Sequence, residues 1–158
     1  MAAGTPATAL LTRRGITHVV HSYTHDPRAA SYGTEAAEAL GVAPERVFKT
    51  LVARLDGRLV CAVVPVARTL SLKALAAALG GKRAEMAEPA AAARATGYVV
   101  DGISPIGQKA ALPIVLDESA AGFGTVFVSG GKRGLELELA PDDLLLVTGG
   151  QLAAVAAR

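Results

Sequence analysis

Three segments carry residues that pack poorly and invite a chemical explanation. They are Phe48-Lys49-Thr50 within a β-rich run, Asp101-Gly102-Ile103-Ser104-Pro105-Ile106-Gly107-Gln108-Lys109 in a loop, and Ser129-Gly130-Gly131-Lys132-Arg133-Gly134 between two strands. Each could meet an anion. A lysine inside a strand is either a solvated, outward-facing residue or a cation held for a ligand. Consecutive amides at Gly130 and Gly131, followed by Lys132-Arg133, form a concave anion site if they converge, and a β-turn with a basic tip if they do not. Gly102 permits close backbone approach and Pro105 fixes geometry, so that loop suits a rigid cradle for an ester carbonyl or a terminal nucleotide.

Several familiar chemistries are disfavoured. Arg133 follows Gly131-Lys132 where an ATPase phosphate loop needs Ser or Thr, and that loop's first glycine would fall at Val126. A nucleophile elbow needs a glycine two residues after its serine, whereas Pro105 follows Ser104 and the glycine comes only at position 107. His18, His21 and His25 are close in sequence, but strand alternation sends His18 and His21 to opposite faces and no thiol or carboxylate set completes a tetrahedral site. No metal and no cofactor are therefore expected. Cys61 sits among Leu59, Val60, Val63 and Val64, where a thiol is core filler more often than nucleophile.

The elements that must position these residues follow from local signals. Thr5-Pro6 opens a helix that Gly15 stops, Thr17 to Tyr23 alternates as a half-buried strand, and Thr34 caps a helix through Leu40. The runs 47–54 and 58–64 flank Asp56-Gly57, which predicts an antiparallel hairpin. Ser71 caps the helix 72–79, an alanine-rich helix follows Pro89, and Pro141-Asp142-Asp143 opens a last helical stretch. Residues 98–100, 113–116, 125–128 and 135–139 read as short strands. Interspersed helices and strands with one tight hairpin predict an α/β fold of the α+β kind, with a mixed, curled sheet flanked by helices.

The 158 residues fit one domain, 1–158, with a real core. The 51% hydrophobic fraction leans on alanine, so strands must supply most of the core bulk. Aromatics at 4% argue against a base-stacking platform, and a net charge of +2 restricts any nucleic-acid surface to a local patch. One cysteine, no signal-peptide pattern and no long apolar run predict a cytoplasmic protein with no membrane partner.

In order along nearly the whole chain, Thr5-Pro6-Ala7, His21-Ser22-Tyr23-Thr24-His25-Asp26-Pro27, Phe48-Lys49-Thr50-Leu51, Ala84-Glu85-Met86-Ala87, Thr96-Gly97-Tyr98, Gly102 to Lys109 and Val128 to Leu135 resemble the YbaK/EbsC family of freestanding editing deacylases. The resemblance implies a YbaK-like fold, a mixed, barrel-like sheet surrounded by helices and related to the editing domain of bacterial prolyl-tRNA synthetases. It implies hydrolysis of Cys-tRNA(Pro), an error that arises because selection by pocket volume discriminates weakly between amino acids of similar size.

By position it assigns catalysis to Lys49, which orients the ester carbonyl or the terminal adenosine, and to Tyr23. Substrate binding falls to Tyr32, Thr50, Gly102, Ile103, Ser104, Pro105, Ser129, Gly130, Gly131, Lys132, Arg133 and Glu136. Tyr23 and Tyr32 would shape the pocket or stack on adenine, or else simply pack. The sequence offers no credible protein nucleophile, and the family resemblance implies that the substrate's own thiol attacks its ester. Two positions depart from the family: Asp101 stands where a second glycine is common, and Glu136 where an aspartate is usual. The implied partners are the acceptor end of mischarged tRNA and prolyl-tRNA synthetase, with no DNA. An Ala-tRNA(Pro) deacylase and a non-catalytic tRNA- or synthetase-binding module are the competing readings.

Overall fold

The computed structural model describes residues 4–26, 28 and 32–157, with backbone alone at 32 and 33. Short-range signals account for the helices. In α1 (Pro6–Arg13) the Thr8 N–H donates to Thr5 Oγ1 at 3.2 Å and the Thr5 N–H donates back to Thr8 Oγ1 at 2.9 Å, a reciprocal cap with proline at the first position. Ser71 Oγ accepts from the Ala74 N–H at 3.1 Å and starts α3 (Leu72–Ala78), a contact that contributes about 1 kcal/mol. Pro89 opens α4 (Pro89–Thr96) and Pro141 opens α5 (Pro141–Thr148). The second helix, α2 (Tyr32–Leu40), begins ahead of the expected Thr34 cap.

The strands are β1 (Val19–Ser22), β2 (Phe48–Leu55), β3 (Arg58–Pro65), β4 (Ala84–Met86), β5 (Ile114–Asp117), β6 (Val126–Ser129), β7 (Leu135–Leu139) and β8 (Gln151–Ala153). Asp56 and Gly57 turn between β2 and β3 with φ of 50° and 88°, so both central residues are left-handed, as the two-residue hairpin requires. Residues 98–100 form no strand. The Tyr98 hydroxyl donates to the Ile106 carbonyl at 2.6 Å and a 3-10 turn covers Val100–Gly102, so side-chain anchoring of the loop overrides the β propensity of two valines. The short edge strands β4 and β8 lack the length that would make them visible in the sequence.

Eight strands form two sheets among the described residues, ordered β1-β7-β6 and β4-β2-β3-β5-β8. The first is antiparallel, and the second is mixed because β3–β5 and β5–β8 pair in parallel. The expected barrel-like curl does not close into a barrel. Where β2 nears β6, an isolated parallel bridge, Val47 to Phe127, is the one pairing among the described residues. Beyond it β2 has no strand on that edge until β4 joins at Ala53–Leu55.

The main core fills the space between the sheets, with Phe48, Val52 and Val63 facing Val126, Val128, Leu137 and Leu139, closed off by Leu11 of α1 and Leu144 of α5. A second core beneath α3 joins Leu75 to Ala62, Val64 and Val115. Each of these aliphatic side chains contributes roughly 1.5–3 kcal/mol by leaving water, which makes the sheets rigid carriers for whatever projects from their edges.

Candidate active site

The gap in the β2 edge is where the candidate site lies. The Val47 carbonyl accepts from the Val66 N–H at 2.8 Å on the β3 side, and the Val52 carbonyl accepts from the Ala87 N–H at 3.0 Å on the other side. Backbone groups alternate between edges in an antiparallel ladder, so Phe48 and Thr50 turn their N–H and C=O groups toward the gap. A cavity of about 310 Å³ opens there, lined by Lys49, Thr50 and Leu51 of β2, by Tyr23, Ser129 and Glu136, by the buried Ile103, and by Lys132 and Arg133 at the mouth. That volume is at the low end for ligand sites and suits an amino acid better than a whole nucleotide.

Lys49 and Glu136 face this space, and among the described residues neither takes part in an ion pair. Burial lowers the proton affinity of the Lys49 ammonium. Glu136 is 7% exposed, and burial pushes its carboxyl up to about 8. Its position is unexpected from the Leu-Glu-Leu-Glu-Leu alternation of β7. Leu137 and Leu139 point into the main core and Leu135 is buried on the same face, while Glu138 on the opposite face is satisfied by His21 at 2.8 Å and Thr125 at 2.6 Å. Glu136 shares Glu138's face but accepts no such bonds.

Tyr23 stands beside it. Its backbone N–H donates to the Gly134 carbonyl at 2.9 Å, and its phenol is pushed up to about 12, first by burial and then by the charge of Glu136.

The rim is differently built. Arg133 donates to Asp101 at 2.5 Å and contacts His25 Nε2 at 3.2 Å, while His25 Nδ1 meets Glu35 of α2 at 2.8 Å. With Nδ1 protonated toward the carboxylate, Nε2 is the lone-pair side that receives Arg133. Four segments distant in sequence are thus strapped together over the cavity mouth. No spacing rule links His25, Glu35, Asp101 and Arg133, so sequence reasoning could not assemble them.

The two glycine-bearing loops build the site more than they line it. A Cβ at Gly102 would stand 2.8 Å from Lys132 Cα, so the close contact of the loops needs glycine there, and the Gly102 carbonyl accepts from Ser129 Oγ at 3.2 Å. Ser104 is fully buried, with its hydroxyl accepting from the Ile106 N–H at 3.2 Å and its carbonyl accepting from Gln108 at 3.1 Å. Pro105 is buried beside it.

The Gly130 N–H donates to the Leu135 carbonyl at 2.8 Å and the Gly131 N–H donates to Ser129 Oγ at 3.1 Å. These amides are spent inside the loop and do not converge on an anion. The Gly130 carbonyl in turn accepts from the Thr5 hydroxyl at 2.5 Å, so the α1 cap buttresses the loop.

Of the candidates from the sequence, Lys49, Tyr23, Thr50, Ile103, Ser129, Lys132, Arg133 and Glu136 meet at the cavity. Gly102, Ser104, Pro105, Gly130 and Gly131 stand behind it. The Thr50 hydroxyl is buried without a partner among the described residues, so it is the strand backbone at Thr50 that reaches the gap. The Tyr32 side chain lies outside the described residues. Asp101, Val47, Phe48 and Val100 line the cavity in addition. Among the described residues no group of three His, Cys, Asp or Glu side chains could hold a metal ion. None of the helices there is long and apolar enough to cross a membrane.

The same architecture occurs in a solved protein proposed to be a trans-editing enzyme for prolyl tRNA synthetase, which superposes with a TM-score of 0.86 at 26% identity over 99% of this chain and all of that one. Residues 26–146 match the aminoacyl-tRNA editing domain, and the chain belongs to that family. EbsC of Enterococcus faecalis, provisionally named a Cys-tRNA(Pro)/Cys-tRNA(Cys) deacylase, is 44% identical over 121 residues, 75% of this chain and 73% of EbsC. YwhH of Bacillus subtilis, an uncharacterized protein, is 31% identical over 110 residues, 70% of each chain.

Proposed function

We propose that this chain is a trans-editing deacylase that removes cysteine from mischarged Cys-tRNA(Pro), with the whole span 1–158 acting as one editing domain in the cytoplasm. One observation carries the reading: a half-buried lysine and a buried carboxyl face an amino-acid-sized cavity with no competent protein nucleophile among the described residues. Cys61 is fully buried and its thiol is pushed up to about 11. Ser104 is sealed in its loop. The Ser129 hydroxyl donates to the Gly102 carbonyl and accepts from the Gly131 N–H, with no base attached. The name of EbsC supports the same substrate.

The nucleophile is then the substrate's thiol, which at neutral pH supplies a few per cent thiolate, roughly, where a hydroxyl supplies almost none. Sulfur attacks the ester carbonyl, the new S–C bond closes a thiolactone, and the C–O bond to the terminal ribose breaks. The thiol's proton ends on the ribose hydroxyl. Lys49 donates toward the carbonyl oxygen as negative charge grows there, and the walls hold the side chain folded back. Placement and polarisation of this kind lower a barrier by several kcal/mol without a triad. Lys132 at the mouth offers charge to the phosphates of the acceptor end, and prolyl-tRNA synthetase is the expected partner. The test is single-turnover deacylation of Cys-, Ala- and Ser-charged tRNA(Pro) with product trapping. Fast release of the thiolactone from the Cys ester is expected, and a preference for the Ala ester would move the reading to water-mediated editing of alanine.

A further inference from the structure

We infer that Glu136 is the receptor for the substrate's α-ammonium group, so that the cavity selects aminoacyl esters with an unblocked amine. This rests on the editing reading only in taking an aminoacyl ester as the ligand.

Glu136 is 93% shielded from solvent, lines the cavity and accepts no hydrogen bond among the described residues. The other glutamate on its strand, Glu138, is fully partnered. A carboxylate removed from water without a partner costs several kcal/mol, roughly, and a core position would favour leucine or glutamine over that arrangement. The cost is recovered when a ligand brings an N–H cation into the space. Of the positive groups along the same cavity, Lys49 and Lys132 form no ion pair with it among the described residues, and Arg133 is engaged by Asp101 and His25.

The two poles match one small molecule. An aminoacyl ester carries its carbonyl and its amine on adjacent carbons, which places the carbonyl toward Lys49 while the amine turns to Glu136. Ser129, in register with Glu136 across β6 and β7, projects from the same face and fixes that wall. Glu136 keeps its proton up to about 8 in the empty cavity, so pairing with an α-ammonium releases that proton to solvent and leaves a carboxylate–ammonium pair without net charge in the buried space. Tyr23 lines the cavity with Glu136 and is anchored there by its backbone N–H to the Gly134 carbonyl.

The test is binding of a non-hydrolysable 3′-cysteinylamino-adenosine and of its 3-mercaptopropionyl counterpart, which keeps the thiol and loses the amine, measured by calorimetry. Wild-type protein should bind the amine-bearing analogue roughly 10- to 100-fold more tightly, the range of a desolvated charge-assisted pair. Glu136→Gln should erase that ratio while leaving affinity for the desamino analogue unchanged, and Glu136→Asp should restore part of it. Equal affinities in the wild type, no measurable binding of either analogue, or a ratio that survives Glu136→Gln would overturn the inference. Deacylation of Cys-tRNA(Pro) by the wild type is scored separately. Its failure with the binding ratio intact would sink the enzymatic reading and spare this one.

Discussion

The walls of the cavity and its rim handle charge in opposite ways. On the walls Lys49 and Glu136 project from rigid strands, are largely shielded from water and find no ionic partner among the described residues. On the rim Asp101, Arg133, His25 and Glu35 come from loops and one helix and satisfy one another. The contrast separates what the protein completes for itself from what it leaves for a ligand to complete. The Arg133–Asp101 pair, with side chains 36% and 41% exposed, is worth roughly 0–1 kcal/mol, so it guides the loops without locking them. The wall groups are costly to the empty protein, which is sensible only where a ligand repays them.

The comparison breaks most visibly at Lys49. Lys49→Ala is expected to reduce single-turnover deacylation by roughly 100- to 1,000-fold, as loss of a carbonyl-polarising donor does. Its thermal midpoint should be unchanged or raised, because a half-buried cation with no ion pair among the described residues is removed. A large fall in stability with little loss of rate would place Lys49 among structural residues.

Glu136 sharpens the same point through pH. Its carboxyl holds a proton up to about 8 in the folded chain and ionises near 4.5 when unfolded. Between those values the native state binds the extra proton, so wild-type stability falls as pH rises through that window. Glu136→Gln removes the dependence, and its gain over wild type in urea unfolding should be larger at pH 8 than at pH 5. The scale is about 1.4 kcal/mol per pK unit, a few kcal/mol at most. Equal gains at both pH values would mean that the carboxyl is solvated.

Substitutions at the rim have smaller effects. Gly102→Ala drives a Cβ to 2.8 Å from Lys132 Cα and should cost about 1–3 kcal/mol, since backbone and not a flexible side chain must yield. Deacylation falls with it as the loop moves. Asp101→Asn removes the anion that competes with phosphate for Arg133. It should tighten tRNA binding by roughly 2- to 5-fold at low salt and by less at high salt, as screening predicts.

The sequence made legible what short-range chemistry controls. Thr5-Pro6, Ser71 and Asp56-Gly57 announced a cap, a cap and a hairpin, and the structure contains each. The strand expected at 98–100 was lost because Tyr98 and Gly102 serve loop contacts that no window of neighbours reveals. The split of the expected mixed, barrel-like sheet into two sheets depends on how β2 edges onto β6, a long-range event that neighbouring residues do not encode. Of the site, Lys49 and the loop cations stood out by residue type. The burial of Glu136 did not, since Leu-Glu-Leu-Glu-Leu reads as an outward acid, and only residues distant in sequence, such as Tyr23, Lys49 and Ile103, enclose the space it faces. The glycine loops looked like ligand cradles because mobile amides and structural close contacts use the same residue.

The central claim is that the cavity folds a cysteinyl ester onto itself. Single-turnover cleavage of Cys-tRNA(Pro) against Ser-tRNA(Pro), which differ by sulfur for oxygen, tests it most directly. The account predicts rapid loss of the Cys ester with thiolactone released and the Ser ester cleaved far more slowly, and comparable rates on the two esters would contradict it.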